Sequence, residues 1–238
     1  MFSWFMKKQQ PQLEFLCFDD DLGNIPEPYP ARKLIPEWYK ALPMKLGLGF
    51  EQSTLKRCPP FLDAMVTGWI IPLVADVRIQ SNHDCSHIEY ESQYPRPMIE
   101  NHGPMQVTSD KCPAPHVPKP PIKWMNYWAI KCPPGYSLLF VPPLNRPDDR
   151  FTCFSGLVDS DEYFEFVNFP FVWNVPNFHG IIPAGTPLMQ VIPIKRDTLF
   201  NKHTIRSFKH SDIKELASTH RKRQSHESHY RDNIWKRK

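Results

Sequence analysis

Short apolar runs alternate with turn signals along the central part of the chain, between positions 128 and 196. Each run has the length of a buried strand, and the turns between them carry proline, glycine or aspartate, which fix or permit the backbone angles of tight turns. Residues 128–130 lead into the first turn, and the predicted strands are 136–141, 151–158, 164–173, 180–182 and 187–194. Many short strands separated by turns at this spacing predict a mainly β fold, either a sandwich or a barrel-like domain.

Two short helices are predicted ahead of this stretch, over 36–42 and 59–67. Both begin with proline, which helices accept in the first turn because the missing N–H would have no intrahelical partner there. A further helix is predicted in the polar C-terminal tail, where Ser211 or Asp212 would cap a helix that begins at Ile213. We therefore expect two short helices and a helical C-terminal tail around the β domain.

The same pattern predicts the domain organisation. Residues 1–53 are expected to form an N-terminal extension that packs on the core, and 54–196 to form the β domain. A proline-rich insertion, 94–121, interrupts this domain, and loops of such length are usually functional or mobile. The remaining residues, 197–238, form the basic helical tail.

Composition favours a folded core. Hydrophobic residues make up 41% of the chain and aromatic residues 13%, which is too apolar for a disordered sequence. The 27 prolines against 9 glycines fit many short strands joined by rigid loops. The predicted core residues are Tyr136, Leu138, Phe140, Phe154, Leu157, Phe166, Phe169, Phe171, Leu188, Val191 and Ile192.

Charge indicates the kind of partner. The net charge is +4 at pH 7, and most of the excess lies at the C-terminal end. A protein partner, either a second copy or another protein, is expected, and the basic tail also predicts contact with a polyanion. The six cysteines form no Cys-x-x-Cys pair, which excludes a zinc-ribbon or thioredoxin site. No signal peptide or membrane-spanning apolar run is visible, so we expect a cytoplasmic protein.

One part of the central stretch resembles a known enzyme family. The run GLVDSD at 156–161, followed by Tyr163, is similar to the trimeric dUTPase motif Gly-Val-Ile-Asp-x-Asp-Tyr-Arg-Gly, with Glu162 as a one-residue insertion. The run GTPLMQVI at 185–192 resembles the later Gly-x-x-Ile-x-Gln-Leu motif of dUTPases and dCTP deaminases, and PPGY at 133–136 resembles the turn before their central strands. The resemblance covers about a quarter of the chain and implies a β-clip fold.

This resemblance also implies roles for individual residues. Asp159 would orient the attacking water, Tyr163 would stack on the deoxyribose, and Arg146 and Gln190 would bind the nucleotide, with Mg²⁺ as cofactor. The chain departs from the family where Asn-Arg-Pro, 145–147, replaces the phosphate-binding Arg-Ser-Gly motif. It also has no glycine after Arg196 to form the glycine-rich tail motif. The alternative is that Asp159 belongs to a solvated turn between strands.

The densest group of potential metal ligands lies at 82–89, where the sequence reads NHDCSHIE. On a strand, His83, Cys85, His87 and Glu89 would share one face, and such a set suits a transition metal. The run distantly resembles the first cupin motif, which implies a metal-dependent β-barrel enzyme with His83, His87 and Glu89 as ligands. The alternative is an exposed polar hairpin.

Over most of its length the chain resembles a set of uncharacterised proteins of tailed phages and some bacteria. The residues that carry the resemblance are IPEWYK at 35–40, KRCPPFLDAM at 56–65, GWIIPL at 68–73 and the central stretch. The first functional hypothesis is therefore a non-catalytic binding or assembly protein of phage type, located in the host cytoplasm or the virion. The two enzyme-related hypotheses, a nucleotide-binding dUTPase-like protein and a cupin-like metalloenzyme, are kept as alternatives.

Overall fold

The computed structural model of the protein describes residues 12–47, 53–101, 122–226 and 228–237. Over these residues the fold is mainly β, with 14 strands in four antiparallel sheets, which confirms the predicted fold class. The described strands do not close into a barrel, and their arrangement is consistent with a β sandwich. Most of the predicted proline-rich insertion, 102–121, lies outside the described residues.

The strand bounds follow the chain in order. The strands are β1 (Glu14–Leu16), β2 (Tyr29–Pro30), β3 (Trp69–Pro72), β4 (Val77–Ser81), β5 (Ile88–Glu91), β6 (Ile99–Asn101), β7 (Ile122–Trp124), β8 (Ala129–Lys131), β9 (Tyr136–Val141), β10 (Phe151–Cys153), β11 (Gly156–Val158), β12 (Phe169–Trp173), β13 (His179–Ile182) and β14 (Pro187–Lys195). The sheet orders are β11-β9-β14-β3-β2, β10-β12-β7-β6, β13-β4-β5 and β1-β8.

Three α-helices are present among the described residues, and the first two are short. They are α1 (Glu37–Ala41), α2 (Pro59–Val66) and α3 (His210–Ser225), with 3₁₀ turns at Ala31–Leu34, Leu55–Arg57 and Arg196–Thr198 and a π-helical turn at Tyr230–Ile234. The two short helices and the helical tail are therefore present as predicted. The helix of the tail begins at His210 rather than Ile213, because the Asp212 carboxylate accepts a hydrogen bond from the Lys209 N–H in its first turn.

The chain divides into two compact units, each built from separate stretches. The first unit comprises Met1–Tyr29, Gly68–Pro143 and Pro147–Thr198, and it contains the sheets apart from the last residue of β2. The second unit comprises Pro30–Thr67, Leu144–Arg146 and Leu199–Lys238, and it contains the three helices.

Strand β9 shows how local sequence sets the framework of the first unit. Gly135 has φ +84°, which the preceding turn requires and which glycine adopts without strain. The strand ends at Val141 because the two prolines that follow have no N–H to donate to the ladder. Leu138 and Phe140 alternate into the core, and β14 pairs with the whole strand from Val141 to Tyr136.

Most of the predicted core is confirmed. Leu138, Phe140, Phe169, Phe171, Leu188 and Val191 are buried, whereas Tyr136, Phe154, Phe166 and Ile192 are half-buried. Leu157 was wrongly predicted, since it is exposed on β11, the edge strand of its sheet. Phe171 lies at the centre of an aromatic cluster and stacks on Trp124 with 4.5 Å between ring centroids.

Two strand predictions were too long. The predicted strand 151–158 is two strands in different sheets, since β10 pairs with β12 and β11 pairs with β9. The chain leaves the sheet that contains β10 and β12 after Phe154, whose N–H donates to the Pro170 carbonyl at 2.8 Å. The predicted strand 164–173 begins only at Phe169, because a turn and an irregular segment occupy the preceding residues.

The second unit has a small core around α1 and α2. Tyr39 is buried and stacks on Phe61 at 5.9 Å. The C-terminal end of the chain is attached to the same core, because the Trp235 indole donates to the Asp63 carboxylate at 2.8 Å. None of the described residues of α3, which lies between Leu199 and Trp235, is buried.

Among the described residues, no helix combines the length and the apolar character needed to cross a bilayer.

Candidate functional site

The segment that resembles the dUTPase motif forms a tight turn after β11. The N–H groups of Glu162 and Tyr163 donate to the Asp159 carbonyl at 3.0 and 2.9 Å. The Asp159 carboxylate is 64% exposed and accepts a hydrogen bond from the Ser137 hydroxyl at 2.6 Å. Tyr163 is more than half exposed. The turn that was considered as an alternative to a catalytic segment is therefore present, and the predicted catalytic roles of Asp159 and Tyr163 stay predictions.

Asp161, two residues further on, has a buried side chain. Its side chain is 3% exposed and accepts two hydrogen bonds from the Arg196 guanidinium, at 2.7 and 2.5 Å. A third bond comes from the Gly135 N–H at 2.7 Å. These bonds, the Arg196 pair above all, lower the pKa of Asp161 from 3.8 to about 2. The pair fastens the end of β14 to the turns that flank β9 and β11.

Removing this carboxylate is expected to make the protein less stable in a pH-dependent way. A carboxyl group whose pKa is lower in the folded state contributes stability above its unfolded pKa and loses it as the pH falls through the folded value. The melting temperature of Asp161→Asn should therefore lie below that of the wild type at pH 7, and the difference should shrink between about pH 4 and pH 2. Thermal denaturation across this pH range measures it.

Asp149→Asn is the matched control, since that aspartate is exposed and the change is chemically the same. Its melting temperature should follow the wild type at every pH. A deficit of Asp161→Asn that stays constant down to pH 2 would contradict the assigned role of the ion pair.

The predicted ligand-binding residues Arg146 and Gln190 have structural environments. The Arg146 guanidinium donates to the carbonyl groups of Leu34 at 3.0 Å and Met65 at 2.6 Å, which links a 3₁₀ turn to the end of α2 within the second unit. Gln190 is fully buried in β14, between β9 and β3. Neither arrangement directs the side chain toward an open nucleotide site, so ligand binding by these residues stays a prediction.

Two of the three predicted metal ligands, His83 and His87, lie in a hairpin loop, and the third, Glu89, lies on β5. Residues 82–87 connect β4 to β5, with Cys85 buried at φ +55°. His83 and His87 are exposed, and the His87 ring lies 3.9 Å from the Glu89 carboxylate. The strand on which these residues would share a face is absent over 82–87, because a turn occupies this stretch. Within the described ranges, no three His, Cys, Asp or Glu side chains are grouped so that they could hold a metal ion.

Charge is divided unevenly between the two units. The first unit has 11 Lys and Arg residues against 18 Asp and Glu, a net charge of −7. The second unit has 18 against 7, a net charge of +11 on about half as many residues. The chain's modest +4 thus conceals two strongly and oppositely charged parts.

The basic unit also carries most of the exposed apolar surface. Of the 18 large hydrophobic side chains exposed among the described residues, 12 belong to this unit. The two most exposed of them precede α3, where Phe200 is 92% and Ile205 88% exposed, and Phe208 in the same stretch is 68% exposed. An open groove of about 700 Å³ lies between this stretch and α3. Large contiguous apolar patches are uncommon on the surfaces of monomeric proteins.

We call residues 199–226 the basic segment. It contains seven Lys and Arg residues and two acidic residues, Asp212 and Glu215, both of which line the groove. Arg206 pairs with Asp212 and lowers the pKa of that carboxyl group below its usual value. The run from Arg221 to Arg223 lies on the second half of α3, and all three residues are exposed.

No protein-family model, no curated protein and no solved structure matches this chain. Functional inference therefore depends on the chain's own residues. Sequence analysis missed Arg196 as the partner of Asp161, and it located the basic excess only in the tail, because the second unit is assembled from three separate stretches.

Proposed function

We propose that this protein is a non-catalytic binding or assembly protein, and that its second unit is the part that contacts a macromolecular partner. One observation carries the proposal: a net charge of +11 coincides with two thirds of the exposed large hydrophobic side chains. A cluster of one charge sign attracts oppositely charged partners over long range, and exposed apolar side chains provide short-range contact area. The resemblance to proteins of tailed phages is compatible with an assembly role.

The polar contacts around the dUTPase-like segment and at Arg146 support the non-catalytic part of the proposal. The Asp161 carboxylate and the Arg196 guanidinium are engaged with each other, and Arg146 is engaged with backbone carbonyl groups. These interactions stabilise turns and chain ends in the folded protein. Under this proposal Asp159→Ala leaves the function intact, and dUTP with Mg²⁺ does not raise the melting temperature.

A charge-reversal variant tests the proposal. Arg221→Glu, Lys222→Glu and Arg223→Glu together change the second unit from +11 to about +5 while altering only exposed positions. Binding of the full-length protein is measured to a second copy by sedimentation, to labelled single-stranded and duplex DNA by anisotropy, and to anionic vesicles by flotation. We expect binding to one of these partners at about 50 mM salt, weakened at least about tenfold in the variant.

The charge-conserving variant Arg221→Lys with Arg223→Lys is the control and should bind like the wild type. The proposal is wrong if none of the three partners is bound at low salt, or if charge reversal leaves binding unchanged. A reproducible stabilisation by one deoxynucleotide with Mg²⁺, abolished in Asp159→Ala, would replace it with the dUTPase-like hypothesis.

A further inference from the structure

We infer that the partner of the basic segment is a second copy of this chain, bound through the acidic turn 157–165 of its first unit. The inference rests on the proposed function and specifies its partner. It connects the sequence motif that first suggested an enzyme with the surface that carries the exposed apolar side chains.

The acidic turn is both charged and apolar. It contains four acidic residues and no basic residue. Leu157, Tyr163 and Phe164 are each more than half exposed, beside the exposed carboxylates of Glu162 and Glu165. Since Asp161 is held by Arg196 in the interior of the turn, the exposed groups project from a fixed base.

The basic segment complements this surface in both respects. Its exposed Phe200, Ile205 and Phe208 offer apolar contact, and its seven basic residues offer partners for carboxylates. Both surfaces are accessible in the single chain, so each is available to another molecule. Interfaces between proteins commonly join an apolar centre to a polar, charge-complementary rim.

The residues of the groove favour a protein partner over a polyanion or an anionic membrane. Three apolar side chains, Ile205, Phe208 and Leu216, line the groove, and the exposed apolar side chains of the acidic turn can pack on them, which phosphates and anionic headgroups cannot do. Asp212 and Glu215 line the same groove, so the carboxylates of a bound turn would be placed outside it, at the basic run from Arg221 to Arg223. A second copy supplies apolar side chains together with carboxylates, and it requires no additional component.

An interface between two different surfaces of the same chain has a structural consequence. It is heterologous, so in a pair of copies joined by one such contact, one copy keeps its acidic turn and the other keeps its basic segment for further neighbours. Such contacts form a ring if the rotation between copies closes, and a filament if it does not. Association should therefore extend beyond dimers as the protein concentration rises.

A charge-swap experiment tests this pairing. The tail-acidic variant combines Arg221→Glu, Lys222→Glu and Arg223→Glu, and the turn-basic variant combines Glu162→Lys and Glu165→Lys. The tail changes take the basic segment from a net charge of +5 to −1, and the turn changes take the acidic turn from −4 to 0. Each variant alone thus loses the attraction between the two surfaces, so we expect sedimentation velocity to show at least about tenfold weaker association than for the wild type. In an equimolar mixture the unchanged basic segment of the turn-basic variant faces the unchanged acidic turn of the tail-acidic variant, and this contact should recover pairwise association to within about threefold of the wild type.

Circular dichroism and melting curves establish first that both variants fold, which is expected because all five positions are exposed. The inference is overturned if the mixture stays dissociated, or if the wild type is monomeric at low salt. If, in addition, the tail-acidic variant loses DNA or vesicle binding while the turn-basic variant keeps it, the partner is that polyanion or membrane, and the proposed function stands without self-association. If the wild type neither self-associates nor binds DNA or anionic vesicles, the proposed function is overturned as well.

Discussion

Replacing Gly68 by alanine is expected to lower the free energy of unfolding by about 3 kcal/mol, which combines the cost of a left-handed backbone with that of overpacking. Gly68 ends the connection from α2 into β3 with φ +78°, a conformation that residues with a Cβ adopt only with strain. A Cβ at this position would lie 2.0 Å from the Val191 carbonyl oxygen, within the central ladder of the first unit. Because the obstacle is backbone, no side-chain rotation relieves it. Urea or thermal denaturation measures the effect.

Gly185→Ala separates the two contributions. Gly185 has φ +83°, but no atom lies within 4 Å of a Cβ added there. This variant should therefore lose only the conformational part, about 1–2 kcal/mol. Equal destabilisation by the two substitutions would contradict the close approach of Gly68 to β14.

Replacing Phe171 by alanine is expected to lower the free energy of unfolding by about 4 kcal/mol. The ring is fully buried in β12, stacks on Trp124 and lies edge-on to Phe151 at 5.9 Å. Truncation removes these aromatic contacts and leaves a cavity beside Trp124 of β7 and Phe151 of β10, which the neighbouring side chains can fill only in part. Denaturant unfolding monitored by tryptophan fluorescence measures the loss.

Phe164→Ala is the matched control in the same unit. Its ring is exposed and contacts the Lys131 ammonium group at 4.6 Å, a cation–π interaction that contributes about 0.5–1 kcal/mol at such sites. The free energy of unfolding should therefore change by about 1 kcal/mol or less. If both variants were destabilised equally, Phe171 would not occupy the centre of the core.

Elements bounded by strong local signals were predictable from the sequence. Strand β9 lies between a proline-glycine turn and two prolines, and its predicted and observed bounds coincide. Helix α2 begins at a pair of prolines, as its first-turn preference requires. In both cases the residues that fix the backbone are adjacent to the element, so no tertiary information is needed.

Features that depend on distant contacts were not predictable. The run from Phe151 to Val158 is mostly apolar, and we found no signal in it that its two halves pair with different sheets. The pairing of Asp161 with Arg196 joins residues that are 35 positions apart. The charge division between the units emerges only after the three stretches of the second unit are brought together.

The candidate metal cluster illustrates the limit of periodicity arguments. Alternate residues share a face only on a strand, and the run that includes His83 and His87 contains a buried Cys85 at positive φ instead. Asparagine, aspartate and serine in this run favour side-chain hydrogen bonds to the backbone, such as that from the Ser86 N–H to Asp84. These local bonds form the hairpin turn and disperse the proposed ligands.

The central claim is that the basic second unit binds a macromolecular partner. Its most direct test is the salt dependence of sedimentation, measured for the protein alone and with single-stranded DNA, duplex DNA or anionic vesicles added. The account predicts complexes at about 50 mM salt that dissociate at about 500 mM, because screening shortens the reach of exposed charges. Formation of these complexes should require the basic run on α3. A single monomeric boundary at both salt concentrations, with no bound DNA or vesicles, would contradict the account.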